Sequence, residues 1–249
     1  MKRAWLSVRS AVLWVLSGLH FFAVCTSLVL LAIFVDPREN DWPQRVFFRN
    51  ILRIAGAKFE VQRASGFDPQ KTSIFICNHV NLFDPFVIYS AIPQFVRGFE
   101  LESHFKIPVY GWMMGRFGNV PVPDVPSRGG LEEMMQRAKV ALDSGISLIA
   151  FAEGSRTRDG HVGPFRKGVF NIAQRFGTPI VPMSILGSFE FFRTGNWMLH
   201  PGKITVILHD TIDTTGIGRD EVDALRDRAH EIVSAPVEQF MREQQQPVE

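Results

Sequence analysis

The stretch SIFICNHVNLFDP, residues 73–85, places a short apolar run directly before a segment rich in polar side chains. The run from Ser73 to Cys77 predicts a buried strand. His79 and Asp84 would point to different sides of a helix with about 3.6 residues per turn, so they can meet only if the chain between them turns back as a loop. Asp84 and Pro85 are typical of a helix start, with Asp84 as the N-cap. The stretch therefore predicts an imidazole at the end of a strand, with a carboxylate near enough to hold it.

An imidazole that is oriented by a carboxylate can take a proton from a substrate hydroxyl. His79 is therefore a candidate catalytic base, and Asp84 is its candidate orienting partner. Two plainer interpretations stay open. Asp84 could be only a helix cap, and His79 could be a hydrogen-bonded loop histidine without a chemical role. One pair at this spacing does not decide between them, because both residue types are common.

Two further motifs follow later in the chain. FAEGSRT, residues 151–157, ends a strand-like run that begins at Ser147, and IVPM, residues 180–183, comes after Gly-Thr-Pro at 177–179. In this order and at these separations, the chain resembles the glycerolipid acyltransferase family, whose best-known members are the 1-acylglycerol-3-phosphate acyltransferases. That family carries an H-x4-D motif, then an E-G-x-R block, then a short V-P stretch. The resemblance spans the chain from about Lys58 to Ala235.

The resemblance implies that the chain moves an acyl group from acyl-CoA or acyl carrier protein to the free hydroxyl of a lysolipid, most directly 1-acylglycerol-3-phosphate, in phospholipid biosynthesis. No cofactor is implied beyond that acyl donor. His79 would take the hydroxyl proton and return it to the departing thiol, so no serine nucleophile is required. Backbone N–H groups near the loop are expected to stabilise the oxyanion.

The resemblance also implies that the block formed by Glu153, Gly154, Ser155 and Arg156 binds the acceptor. The guanidinium of Arg156 offers a planar fork suited to a phosphate. Gly154 permits a close approach of the backbone. Glu153 could accept a hydrogen bond from a glycerol hydroxyl or fix Arg156. A structural turn with a surface ion pair is the plainer interpretation of the same residues.

The second block of the family is where this chain departs from the pattern. Family members typically have a lysine early in it and an arginine that closes it and helps to bind phosphate. Here Glu102 lies near the expected lysine, and Asp124 lies where the arginine is expected. A carboxylate would repel a phosphomonoester, so a different lysolipid stays open as the acceptor. Arg116 or Arg128 could substitute for the missing cation, and Arg166-Lys167 could add positive potential or be plain solvated charges.

Strand-like and helix-like segments alternate from Lys58 onward, which predicts an α/β domain with a mixed, mainly parallel sheet flanked by helices. Ligands of such sheets bind beyond the carboxyl ends of the strands, where His79 and Glu153 both fall. The strand candidates are Lys58–Gln62, Ser73–Cys77, Phe95–Phe99, Val120–Val122, Ser147–Phe151, Ile180–Ser184 and Ile204–Leu208. The helix candidates are Pro85–Ala91, Gly130–Leu142, Gly168–Phe176 and Arg219–Phe240.

The N-terminal segment predicts a membrane-associated helix. The run from Ala11 to Val35 has His20 as its only readily charged side chain and, at about 1.5 Å per residue, is long enough to enter or span a bilayer. It is longer than the apolar core of a cleaved signal peptide, which favours a retained anchor. Basic residues flank it on both sides, so the segment either crosses the membrane or dips into one leaflet and returns. Residues 42–55 predict an amphipathic helix that lies at lipid phosphates or packs on the domain as an ordinary surface helix.

The predicted organisation is an anchor with the amphipathic helix over residues 1–57, a catalytic domain over 58–240 and a polar tail over 241–249. The expected location is a membrane, the inner or cytoplasmic membrane in a bacterium, with the catalytic domain facing the cytoplasm. The abundance of phenylalanine, 22 residues, and a mean hydropathy of +0.05 favour a membrane surface. The apolar stretches Val109–Met114 and Phe189–Trp197 could line an acyl tunnel, touch the bilayer or form core.

The expected partners are membrane lipids, a lysophospholipid and the acyl donor. A net charge of +2 without an extended basic patch does not favour a nucleic-acid partner. No metal is expected, because the histidines are scattered and no H-E-x-x-H or paired-cysteine spacing occurs. Two other function classes stay open, namely hydrolysis of an acyl thioester by water that His79 activates, and non-catalytic lipid binding by the same fold.

Overall fold

The computed structural model describes residues 2–37 and 41–245. Its strands are β1 (Ala57–Arg63), β2 (Ile74–Cys77), β3 (Val96–Leu101), β4 (Val120–Val122), β5 (Ser147–Phe151), β6 (Ile180–Leu186) and β7 (Gly202–Leu208). They form one sheet in the order β1-β7-β6-β2-β5-β3-β4. Only β6 and β7 pair in the antiparallel direction among these strands. The sheet is therefore mixed and mainly parallel, which confirms the predicted fold class.

Helices cover both faces of this sheet. They are α1 (Lys2–Phe34), α2 (Trp42–Ala55), α3 (Asp84–Ala91), α4 (Tyr110–Arg116), α5 (Arg128–Asp143), α6 (Gly168–Phe176), α7 (Ser188–Phe191) and α8 (Val222–Gln245), with 3-10 turns at Glu102–Lys106 and Arg219–Glu221. The α2 helix has the predicted bounds. The predicted polar tail is helical as far as Gln245, and residues 246–249 lie outside the described residues.

The alternation of side chains along β2 separates two cores. Phe75 and Cys77 pack into a core formed with helices α1 to α4. Ile74 and Ile76 pack into a second core with α5, α6 and α8. Burial on both faces explains why this strand is a continuous apolar run rather than an alternating one. The two layers of helices leave the carboxyl ends of β2, β5 and β3 together at one edge of the sheet.

The α1 helix runs unbroken along the domain. Among the described residues it is the one helix long and apolar enough to cross a membrane. Near its start the backbone N–H of Leu199 donates to Ser10 Oγ over 3.0 Å, and near its end Arg116 donates to the carbonyl of Ala32. Its inner side therefore contacts the domain over most of its length. The large apolar side chains exposed on its outer side are Trp5, Val8, Val12, Val15, Leu16, Leu19, Phe22, Leu30, Leu31, Ile33 and Phe34.

Candidate active site

The loop after β2 brings His79 and Asp84 together. His79 Nδ1 lies 2.8 Å from Asp84 Oδ2, and the Asp84 carboxylate is fully buried. The same oxygen accepts the backbone N–H groups of Val80 at 2.5 Å and Asn81 at 2.8 Å. The chain between the two side chains thus turns back as the spacing predicts. Because a carboxylate only accepts hydrogen bonds, the neutral imidazole carries its proton on Nδ1, and Nε2 is left with its lone pair.

The prediction that Asp84 is the N-cap of the following helix is wrong. The α3 helix begins at Asp84, Phe83 occupies the N-cap position, and no side chain caps the first turn. The Asp84 carboxylate points back into the loop instead, towards amides that precede the helix. The interpretation of Asp84 as a cap alone is therefore excluded.

Ser188 completes the environment of the aspartate. Its hydroxyl donates to Asp84 Oδ1 over 2.9 Å and accepts a hydrogen bond of 2.9 Å from the side-chain amide of Asn81. Ser188 is fully buried and begins the short α7 helix directly after β6. Sequence reasoning missed this residue, because it lies 104 positions from Asp84 and no local spacing connects the two.

The imidazole of His79 is fixed in one orientation. Its ring stacks on Phe151 with centroids 3.7 Å apart and planes 14° apart. Phe151 is the last residue of β5 and is the register partner of Cys77, the last residue of β2. The side chain of His79 keeps 16% of its surface exposed, and no described residue bonds to Nε2. The accessible nitrogen therefore lies at the carboxyl ends of two adjacent parallel strands, as the sheet topology predicts.

Glu153 joins the two motif loops. Its carboxylate accepts the backbone N–H of His79 at 2.7 Å through one oxygen and that of Gly163 at 2.8 Å through the other. The backbone N–H of Thr157 donates in turn to the carbonyl of His79 over 2.8 Å. Burial raises the pKa of Glu153, and the two backbone hydrogen bonds oppose that rise. Glu153 was expected to bind an acceptor hydroxyl or to fix Arg156, and in the structure both of its oxygens bind backbone amides.

The rest of the predicted block faces outward. Gly154 has a φ of +70°, and a β-carbon there would lie 2.7 Å from Nε of Arg166. Ser155 and Arg156 are exposed, and the Arg156 side chain has no hydrogen bond or ion pair to another described residue. Arg166 thus lies against the block, whereas Lys167 pairs with an aspartate of α8 at 2.7 Å. The block carries two exposed guanidinium groups next to the loop that holds the imidazole.

The two acidic residues of the second block lie beyond β3 and β4, whose carboxyl ends share this edge of the sheet. Asp124 accepts hydrogen bonds from the Ser103 hydroxyl at 2.6 Å and from the Ser103 backbone N–H at 2.9 Å. These bonds, the first more than the second, lower the pKa of Asp124. Glu102 is exposed. Among the described contacts, Arg128 pairs with a glutamate of its own helix and Arg116 donates to a carbonyl of α1. Neither of these contacts reaches the acceptor block.

The two apolar stretches that were considered for an acyl tunnel combine core and surface residues. Met113 and Phe191 are buried in the core between the sheet and helices α1 to α4. Trp112 and Trp197 are exposed by 62% and 50%. Within residues 2–37 and 41–245, no group of three or more histidine, cysteine, aspartate or glutamate side chains is placed to hold a metal ion.

Comparison with known proteins places these features in context. A family model described as acyltransferase matches residues 58–186. The chloroplastic 1-acyl-sn-glycerol-3-phosphate acyltransferase BAT2 of Brassica napus is 33% identical over 140 residues, which cover 56% of this chain and 40% of that protein. The chloroplastic LPAT1 of Arabidopsis thaliana, which has the same enzyme name, is 30% identical over 141 residues, covering 56% and 39%. The matched segment thus spans less than half the length of these relatives.

A solved structure has the same fold over nearly all of the chain. The 1-acyl-sn-glycerophosphate acyltransferase PlsC from Thermotoga maritima superposes with a TM-score of 0.78, covering 97% of this chain and 98% of that one. The two sequences are 22% identical. With so low a sequence identity, the superposition shows a shared fold and nothing about the reaction.

Proposed function

This chain belongs to the acyltransferase family, and on that basis we propose that it is a membrane-bound lysophospholipid O-acyltransferase. It would move an acyl chain from acyl-CoA or acyl carrier protein to the free hydroxyl of a lysolipid, most directly 1-acylglycerol-3-phosphate. The observation that carries the proposal is the 2.8 Å contact between His79 Nδ1 and the buried Asp84 carboxylate, which leaves Nε2 as the accessible nitrogen. The names of the relatives support the choice of acceptor.

The chemistry follows from that geometry. Nε2 of His79 takes the proton of the acceptor hydroxyl while the oxygen attacks the thioester carbonyl carbon. The C–O bond forms, the C–S bond breaks, and the departing sulfur receives the proton from Nε2, so the imidazole returns to its neutral form. Asp84 holds the tautomer and stabilises the imidazolium that forms in between. A positioned base of this kind typically contributes about 10²–10⁴ in rate.

The acceptor would be held by the block that lies beside the imidazole. We assign its anionic headgroup to the exposed guanidinium of Arg156, with Arg166 as a second cation and with Gly154 and Ser155 at the point of closest backbone approach. Glu153 stabilises this block by accepting hydrogen bonds from the backbone N–H groups of His79 and Gly163. The carboxylates of the second block lie farther along the same edge, so the acceptor panel described below includes lysolipids with neutral headgroups.

The packing of α1 supports the proposed membrane location. The domain contacts the inner side of this helix near both of its ends, while its outer side exposes large apolar side chains. A helix arranged in this way fits one leaflet, parallel to the membrane plane, with its apolar side in the acyl region. The catalytic domain and a soluble acyl donor would then lie on the same, cytoplasmic, side.

The experiment incubates the purified full chain with a labelled acyl donor and a panel of lysolipids, and identifies the acylated products by mass spectrometry. We expect His79→Ala to abolish transfer while it keeps the melting temperature of the wild-type chain. His161→Ala is the matched control, because His161 also bonds to a carboxylate through Nδ1 but is exposed. Normal transfer by His79→Ala would remove the proposed base. Release of free fatty acid at the same rate with and without a lysolipid would identify a thioester hydrolase instead.

A further inference from the structure

A groove of about 530 Å³ lies between α2 and the edge strand β1. Alternate residues of β1 form its floor, and Phe59 and Val61 make that floor apolar. Arg49 and Arg53, which are four positions apart on one side of α2, line it from above. The groove is lined by Arg49, Arg53, Ala57, Lys58, Phe59, Val61 and Arg63. Its volume is within the range of small-molecule sites, about 300–1,000 Å³.

The groove is lined by four cationic side chains, namely Arg49, Arg53, Lys58 and Arg63. Within residues 2–37 and 41–245, no carboxylate forms an ion pair with any of them. The acidic side chain of the same strand, Glu60, pairs with a lysine of β7 at 2.5 Å. Arg49 and Arg53 each donate one long hydrogen bond of 3.4 Å, to a backbone carbonyl and to a side-chain amide oxygen. The groove therefore combines uncompensated positive charge with an apolar floor, which suits an anionic amphiphile.

The groove lies next to the N-terminal part of α1. The guanidinium of Arg9, on α1, lies against Gly56, which joins α2 to β1 at the head of the groove. In the helical turn that precedes Arg9, Trp5 and Val8 are exposed by 69% and 59%. A lipid whose acyl chains lie beside these side chains would place its headgroup at the level of the groove. A soluble anion would gain nothing from this apolar border.

We propose that this groove binds the headgroup of an anionic phospholipid of the bilayer, with the phosphate at Arg49 and Arg53 and the glycerol region over Phe59 and Val61. The site is separate from the acceptor site. Strand β1 is three positions from β2 in the sheet order, which corresponds to about 14 Å at about 4.8 Å per strand. Each basic side chain close to an anionic lipid surface contributes about fivefold to binding.

The test counts lipids on the purified full chain by native mass spectrometry after release from non-ionic detergent micelles that contain phosphatidylglycerol or phosphatidylcholine. The variant is Arg49→Gln with Arg53→Gln, which removes two charges from exposed positions. The matched control is Arg175→Gln with Arg242→Gln, which removes two charges from exposed positions on α6 and α8, on the other side of the sheet. This measurement requires no acyl transfer, so its outcome is independent of the proposed activity.

We expect one phosphatidylglycerol to be retained by the wild-type chain and by the control, with binding about 30-fold weaker in the Arg49/Arg53 variant. Equal retention by variant and control would overturn the proposal, as would equal retention of phosphatidylcholine. Displacement of the lipid by millimolar inorganic phosphate would overturn it too, because it would identify a site for a free anion. A raised KM for the acyl donor with unchanged lipid retention would assign the groove to the donor and would also overturn the proposal.

Discussion

Replacing Asp84 by asparagine tests the proposed role of the carboxylate while it preserves the loop. The amide oxygen can take the place of Oδ2 and accept the same three donors, namely His79 Nδ1 and the backbone N–H groups of Val80 and Asn81. The amide NH2 then faces the Ser188 hydroxyl, which can accept in place of donating. The volume is unchanged, so no cavity forms. The principal loss is the negative charge beside the imidazole.

The size of that loss follows from the distance and the burial. The charge of an imidazolium spreads over its ring, so its centre lies about 4 Å from the carboxylate, where two unit charges interact by about 4 kcal/mol at an effective dielectric constant of about 20. A tenfold change in rate corresponds to about 1.4 kcal/mol. Because the positive charge on the imidazole of His79 develops as it takes the hydroxyl proton, Asp84→Asn should lower kcat by about 10³. The KM for the lysolipid should change little, since the acceptor block is untouched.

The assay is the initial rate of labelled acyl transfer to 1-acylglycerol-3-phosphate in mixed micelles, with thermal unfolding measured on the same samples. Glu238→Gln is the matched control, because it makes the same chemical change at a carboxylate that bonds to Nδ1 of His161 on the surface. We expect that control to stay within twofold of the wild-type rate. An Asp84→Asn enzyme with normal unfolding and a kcat within tenfold of wild type would show that the charge has no catalytic role.

Three further predictions concern neighbouring features. Ser188→Ala removes one of the four donors to Asp84 and should destabilise the fold by about 1.5–3 kcal/mol in urea unfolding. It should lower kcat only about tenfold, because the other three donors remain. Ser188→Thr retains the hydroxyl and should recover much of the lost stability and of the lost kcat. Gly154→Ala should lower the free energy of unfolding by about 1–2 kcal/mol, because φ at this position is +70°. The new methyl group should also displace Arg166 and so raise the KM for the lysolipid. Burial lowers the pKa of His209 below its usual value of 6.5. The neutral imidazole therefore contributes its full stability above pH 6.5, and that contribution is lost as the pH falls through the lowered pKa of the folded state. The melting temperature should therefore fall between pH 7.5 and pH 5.5 by less in His209→Gln than in wild type.

Much of the fold could be predicted because buried parallel strands are short continuous apolar runs. The strands β2 and β5 are such runs, and each ends where its polar motif begins. The antiparallel pairing of β6 with β7 could not be predicted, because strand direction depends on how the connection between them packs. The α4 helix was missed, since glycines at 111 and 115 lower its helix propensity. Backbone contact explains one of them, because a β-carbon at Gly111 would lie 2.1 Å from the carbonyl oxygen of Phe105.

The site was predictable where its parts are close in sequence. The contact between His79 and Asp84 follows from one loop, and the motif order placed Glu153 at the same edge of the sheet. The Glu153 carboxylate was expected to bind an acceptor hydroxyl or Arg156, and it binds two backbone amides instead. A sequence does not show which backbone amides a fold leaves unpaired near a carboxylate. Ser188 and the stacking of Phe151 depend on tertiary contacts, for which a single sequence gives no periodic signal. The catalytic and acceptor-binding roles of these residues remain predictions for the variants above.

The burial of Asp84 separates a structural role from a catalytic one. A buried carboxylate costs several kcal/mol unless hydrogen-bond donors compensate it, and two backbone amides and the Ser188 hydroxyl already provide three donors. A loop that needed only a stable turn would not require the imidazole as a fourth. The same imidazole is stacked on Phe151, so His79 is held at one nitrogen and along one ring face, and the edge that carries Nε2 is the part left accessible. Asp84→Asn removes the negative charge from this arrangement, and Ser188→Ala removes one of its hydrogen-bond donors. If Asp84→Asn mainly lowers kcat, the negative charge acts in the reaction. If Ser188→Ala mainly lowers the free energy of unfolding, the hydrogen-bond donors act in the fold.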